Sequence, residues 1–218
     1  MLPCRLFGTG VALVGAVLLT TAFVSQDKGK DAKPKPAAAP AAAPAGAPAM
    51  DPEMMAKWAA FATPGPEHKV LDACVGKWTT HVKWWMDPAG PAVESDGTGE
   101  AKWIMGGRYL QEEHKGTMMG QPFEGMGLTG FDNIKKKYVG TWIDNGGTGI
   151  MTSEGTYDAA KKTITCACES PDLTMTKYVP TRMVSTMVDP NTHKLEMFMP
   201  DKSGKEFRCM EITYTRAK

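Results

Sequence analysis

Three side chains in the run RYLQEEH, Arg108, Glu112 and His114, put a guanidinium, a carboxylate and an imidazole at strand spacing. In an extended chain residues 108, 110, 112 and 114 share a face, and a carboxylate beside an imidazole has the makings of acid–base chemistry. The plainer expectation, adopted here, is an exposed polar strand face with one cross-strand ion pair. A second stretch, GMGLTG at 125–130, spells the G-x-G-x-x-G of dinucleotide sites. Such a loop must follow a buried parallel strand and open a helix, so that helix N–H groups meet the pyrophosphate. Here Pro122 precedes it and Phe131-Asp-Asn-Ile-Lys135, a turn into another strand, follows. Asp144 stands about where a ribose-binding acid would be sought, but it ends the returning strand KYVGTWID. The glycines therefore predict a strand with side chains removed on one face. Such a strand lets a barrel bend, lets an aromatic such as Trp142 lie across the backbone, or leaves space for a ligand.

Metal chemistry would have to draw on His68, His81, His114, His193, Cys166 and Cys168, with sixteen methionines in reserve. Thioethers and thiolates suit Cu(I), but these methionines are scattered along strands, as adaptable filler of an interior would be. Cys-x-Cys alone is a weak metal signal. No G-x-S-x-G, H-E-x-x-H or P-loop is present. No catalytic residue, metal or cofactor is expected, and an enzyme is the less favoured reading. A haem or metal site remains the alternative, although His81 faces away from Trp78 and Trp84 and His193 abuts a turn.

These residues need elements to position them. Asp51-Pro52 offers an N-cap and a first-turn proline ahead of EMMAKWAAFA, and PEHKVLDACVG reads as a second short helix stopped by Gly76. After Gly76 the period becomes two. In WTTHVKWWM, Trp78, Thr80, Val82, Trp84 and Met86 share one face. Strands AKWIM, RYLQEEHKGT, the segment around GMGLTG, KKYVGTWID, TGIMTSEGTYD, KTITCACES, TKYVPTRMVSTMVD, HKLEMFM and FRCMEITYTR follow, separated by hairpin turns. Successive hairpins without intervening helices predict an all-β, antiparallel meander of eight to ten strands, closed into a barrel behind a short N-terminal helical segment. A two-sheet sandwich is the alternative.

Residues 1–25 combine one basic residue, Arg5, with an apolar run from about Val11 to Val24 and no acid, the pattern of an export signal. An uncleaved anchor is the minority reading. Residues 26–50 form a Lys-, Ala- and Pro-rich linker with nothing apolar enough to bury. Residues 51–218 make one domain of ordinary size. Export predicts a periplasmic or secreted protein with no membrane span after signal cleavage. The formal charge is +1, and losing Arg5 with the signal would cancel it, which argues against a nucleic-acid partner. The exported part keeps Cys74, Cys166, Cys168 and Cys209; two disulfides or buried free thiols both fit.

One family resemblance is carried by Glu67-His68…Leu71…Gly76-Lys-Trp78, Gly106-Gly107-Arg108-Tyr109-Leu110, Gly120-Gln-Pro122-Phe123-Glu-Gly125-Met-Gly127-Leu-Thr-Gly130-Phe-Asp132-Asn133, and Lys137-Tyr138-Val139…Trp142-Ile-Asp144. With these motifs the chain, from about Pro66 to Arg216, resembles the bacterial family called domain of unknown function 1579. The resemblance implies a lipocalin-like barrel and brings no catalytic residues with it. The aromatics spread over successive strands give the functional expectation. A cavity would grip a small apolar or amphipathic ligand through Trp84, Trp103 and Trp142, over the side-chain-free Gly125 and Gly127, with Arg108 or Asp144 orienting its polar end. A filled barrel serving as a structural envelope module is the competing expectation.

Overall fold

The computed structural model describes residues 51–218; the expected signal and linker, residues 1–50, lie outside that range. The chain opens with α1, Pro52–Ala62, capped as the sequence predicts: Glu53 N donates to Asp51 Oδ1 at 3.2 Å. The second expected helix is split. Pro66–Lys69 forms one α-turn, α2, and Val70–Cys74 tightens into a 3-10 segment. A run this short gains little from propagation and takes the tighter winding common at helix ends. Gly76 then leaves the helical path at φ +129°, where a Cβ would lie 2.5 Å from Arg216 Nη1.

Ten antiparallel strands follow: β1 Gly76–Trp84, β2 Val93–Ile104, β3 Tyr109–Met118, β4 Gln121–Asp132, β5 Lys137–Asp144, β6 Met151–Asp158, β7 Thr163–Pro171, β8 Tyr178–Asp189, β9 Thr192–Pro200 and β10 Glu206–Arg216. Each pairs with its sequence neighbours, and β10 returns to β1 in a register running from Trp78↔Arg216 to Trp84↔Met210. The barrel is closed, so no strand edge is left unpaired. A meander of hairpins is local in sequence, and turn residues with positive φ such as Met119 and Gly120 reverse the chain tightly enough to keep it so.

β2 is longer than its sequence suggests. The segment VESDGTGE is polar and glycine-bearing, yet it pairs with β1 from Val93↔Trp84 onward. Its inward positions, Gly97 and Gly99, are small because side chains from neighbouring strands lie over them. A Cβ on Gly97 would meet Thr80 Oγ1 at 2.8 Å and His114 Cε1 at 3.1 Å, and one on Gly99 would meet Tyr214 Cε1 at 3.8 Å.

One end of the barrel is plugged. Leu71 packs with Ala101, Leu110, Tyr138 and Ile164, supported by Val70, Cys74, Val75, Trp103, Phe131 and Tyr157. Trp103 Nε1 donates to Asp72 Oδ1 at 2.7 Å, Trp78 Nε1 to the Cys74 carbonyl at 2.8 Å, and Tyr138 Oη to the Glu67 carbonyl at 2.8 Å. These bonds tie the plug to three strands. The other end carries the β1–β2, β3–β4, β5–β6, β7–β8 and β9–β10 loops, and a cluster of Val179, Met199 and Cys209 with Leu173 and Phe207 narrows one side of it. Among the described residues no helix is long and apolar enough to cross a membrane.

Candidate functional site

Strand register decides which side chains share the interior. Trp78, Thr80, Val82 and Trp84 stand opposite Arg216, Tyr214, Ile212 and Met210, and Tyr214 stands opposite His193. Around the wall, Glu112 faces Gly127, His114 faces Gly125, and Gly127 faces Trp142. Interior positions near the plug are buried, whereas Val82, Met183, Leu195, Met197 and Met210, which also point inward, keep accessible surface. Trp78, the most enclosed aromatic, retains 2% exposure, and no large side chain is sealed completely among the described residues. A core packed at native density would have extinguished the surface of an inward Leu or Met. The interior is thus filled at the plugged end and less tightly occupied toward the other.

The inner wall of the barrel carries a polar cluster toward the plugged end. Tyr214 Oη donates to Glu112 Oε1 at 3.1 Å. His114 Nε2 meets Thr80 Oγ1 at 2.9 Å, and its Nδ1 has no partner within the protein. His193 is stacked on Tyr214 with ring centroids 4.1 Å apart and stands edge-on to Trp78 at 4.4 Å; its Nδ1 is likewise unpartnered. Arg216 lies over the other face of this group, its guanidinium 4.2 Å from the Trp78 ring centre, and donates to the Val75 carbonyl.

Burial sets the electrostatics. It pushes the Glu112 carboxyl up from its ordinary range, partly offset by the Tyr214 hydrogen bond. Glu112 also keeps some accessible surface on the inner wall. Burial, then Glu112, raises Tyr214, and burial lowers His114. His193 is lowered to about 4 by burial and then by Arg216. Both histidines are thus neutral near pH 7, each with a ring nitrogen able to give or accept one more hydrogen bond.

The four cysteines are free, which settles the disulfide alternative for the described residues. Burial raises Cys74 to about 12 and Cys166, Cys168 and Cys209 to about 11. Thiols so far from ionisation are poor nucleophiles, which leaves Cys74 in the plug and the other three on the strands chemically inert. No three His, Cys, Asp or Glu side chains gather into a metal-binding group among the described residues.

The residues singled out from sequence do not all meet. Trp142 lies on Gly125 and Gly127: Cβ atoms there would come within 2.4 Å and 2.9 Å of the indole. Trp142 Nε1 donates to Asp144 Oδ2 at 2.8 Å, while Asp144 Oδ1 accepts from Gly146 N, so Gly125, Gly127, Trp142 and Asp144 form one unit on the β4–β5 wall. The third glycine, Gly130, serves the outer face, where Tyr109 Cδ1 would stand 2.9 Å from its Cβ. Trp84 is inward at the open end. Trp103 is committed to the plug through Asp72. Arg108 stands apart in the exposed β2–β3 turn, bonded to the Met105 carbonyl.

Two expectations are corrected. Glu112 and His114 are not on an exposed strand face but inside, because they share the face of the buried Leu110. His193 is not merely beside a turn; it enters the interior against Trp78 and Tyr214. In both cases the alternation of the strand with its apolar neighbours was the available signal. His81 does face outward as expected, between Asp96 at 2.8 Å and Glu94 at 3.0 Å.

A closed, ten-stranded, antiparallel, lipocalin-like barrel plugged at one end is the class of protein these features define. Within it, the chain belongs to the family described as "Protein of unknown function (DUF1579)", whose model matches residues 63–216. Among curated proteins, none matches the chain in sequence. Among solved structures, Rv2717c from M. tuberculosis is similar with a TM-score of 0.51 at 12% identity, covering 72% of this chain and 100% of that one. The S-type phycobiliprotein lyase CPES from Guillardia theta is similar with a TM-score of 0.46 at 9% identity, covering 72% and 96%. At such identities the likeness is one of fold.

Proposed function

We propose that the barrel binds one small apolar or amphipathic molecule in its lumen, plugged end inward. The observation that carries this reading is the accessible surface kept by inward Val82, Met183, Leu195, Met197 and Met210. An apolar cavity with a few convergent polar groups is the usual build of a small-molecule site. Here Trp84 and Trp142 supply aromatic wall toward the open end. The Glu112 carboxyl, which keeps accessible surface on the inner wall, supplies a polar contact toward the plug. The open rim favours apolar entry, since four of its five loops expose an apolar side chain: Met86, Met119, Ile150 and Met175. The surviving lumen surface counts against the filled-barrel reading, and the cluster contains no activated nucleophile that would favour an enzyme. The N-terminal segment adds export to the proposal, placing this site in the periplasm or outside the cell.

The test is a titration with an environment-sensitive apolar dye, comparing the natural chain with Leu195→Trp, which enlarges an inward wall residue. The natural chain should bind about one dye per barrel, and Leu195→Trp should lose at least roughly tenfold in affinity while keeping its β circular dichroism, since a filled pocket gives up the buried area that drives binding. Equal binding by both chains would place the dye outside the lumen and count against the proposal.

A further inference from the structure

Glu112 is an interior carboxyl without a counter-ion. The alternation that carries Leu110 inward also turns Glu112, Asp144 and Arg216 to the inner side of the wall. Every ion pair among the described residues leaves Glu112 out. Arg216, the inward cation, is engaged elsewhere. Its Nε donates to the Pro190 carbonyl at 3.0 Å, Nη1 to Val75 at 2.9 Å and Nη2 to Ala73 at 3.5 Å.

The other groups around Glu112 bring no positive charge. Tyr214 on β10 donates its hydroxyl to Oε1 and stays un-ionised. His114, two residues along β3, and His193, stacked behind Tyr214, are both held neutral by burial. Cys74 in the plug keeps its proton. From β2 and β4 the residues opposite are Ala101 and Gly127. Glu112 Oε2 accepts no hydrogen bond from the protein and, unlike the two enclosed histidine nitrogens, is not sealed.

Beside this oxygen stands an aromatic face. In the register Gly127 lies between Glu112 and Trp142, and the indole reaches over it, with Cε3 2.9 Å from where a Cβ would be. One face of the ring is thus against the β4 backbone and the other is turned to the interior. The indole N–H is held by Asp144, which adds a second carboxyl toward the rim. An unpaired carboxyl oxygen next to an aromatic face favours a positive head group, through an ion pair on one side and the ring quadrupole on the other. Burial raises the Glu112 carboxyl because its charged form has lost water and gained no partner, and a cation against Oε2 supplies that partner. An anionic head would meet two carboxyls with the one inward arginine already engaged.

Resting on the reading that the barrel binds one amphipathic molecule, we infer that this molecule is a cationic amphiphile, a protonated amine on an apolar chain, with its ammonium head between Glu112 Oε2 and the inward face of Trp142. Its chain then runs past Val82, Leu195, Met197 and Met210, which keep accessible surface.

The experiment displaces the apolar dye from the natural chain with three probes of equal chain length at neutral pH: octylammonium, octanol and octanoate. Octylammonium should bind at least roughly tenfold tighter than octanol, with octanoate the weakest. Glu112→Gln keeps an oxygen for the Tyr214 hydroxyl and should bring octylammonium to within about twofold of octanol while retaining its β circular dichroism. Octanol equal to octylammonium on the natural chain, or octanoate preferred, would overturn the inference and leave the binding reading standing. An amine preference that survives Glu112→Gln would put the cation elsewhere and overturn it as well. Failure of the dye and all three probes together would overturn both. Should Glu112→Gln lose its fold, the ranking of the three probes on the natural chain decides.

Discussion

At the scale of single residues, Gly125 and Gly127 keep their side of β4 clear for one indole. An alanine methyl at Gly125 would sit 2.4 Å from Trp142 Cζ2, on a backbone that needs no positive φ, so the clash alone sets the cost. Gly125→Ala should destabilise the barrel by about 1–3 kcal/mol in urea denaturation. Pairing it with Trp142→Leu should recover much of that loss; strict additivity of the two changes would contradict the contact. His193 offers a pH-dependent counterpart. Its pKa falls from the ordinary 6.5 to about 4 in the fold, so the unfolded chain binds its proton first. Stability tied to His193 is therefore full above pH 6.5 and lost as the pH falls toward 4, with a slope of at most about 1.4 kcal/mol per pH unit. His68 and His114 are lowered as well and act in the same sense, while the raised His81 and Glu112 act in the opposite sense. The measurement is thus a difference: His193→Phe, which keeps a ring between Trp78 and Tyr214, should flatten the dependence between pH 6.5 and 4 relative to the natural chain. The sequence made the glycine–indole contact legible because a cofactor loop had the wrong neighbours on both sides. It left Glu112 and His114 misassigned because their charge suggested solvent, while their alternation with Leu110 placed them inside.

At the scale of elements, hairpins between period-two segments were readable throughout, and so was the Asp51-Pro52 start of α1. The first half of β2 was not, since VESDGTGE lacks the apolar alternation that marks a strand. Its inward face is filled by Thr80, His114 and Tyr214 reaching over it from other strands, a contribution that no local pattern records. The 3-10 segment was hidden for a related reason: its winding follows from docking Leu71 into the barrel end. The clamp on α1 was equally silent, because the Asn133 amide spans about seventy residues of sequence to donate to the Ala60, Phe61 and Thr63 carbonyls. Asn133→Ala removes three hydrogen bonds to a helix that buries nothing. It should leave the denaturation midpoint nearly unchanged while amide exchange across 52–63 accelerates by at least roughly tenfold, because that segment then opens independently of the barrel. Unchanged exchange there would mean that other contacts hold the helix.

At the scale of the whole molecule, closure of the barrel explains why so few large side chains are sealed. The plug of α2 and the 3-10 segment fills one end, and the proposed site takes the space toward the other. Strand number and family membership were legible in the sequence, but how full the interior is depends on side-chain volume summed around a closed wall. The buried, un-ionised thiols are compatible with the export proposed for the chain, since thiolate is the form that oxidises readily. The most direct test of the central claim is native mass spectrometry, with an absorbance spectrum, of the protein isolated from the organism that makes it. The expected result is a mass above that of the polypeptide by one small organic molecule, released on denaturation and lost in Leu195→Trp. A polypeptide that carries nothing, and that also ignores apolar dyes, would contradict it.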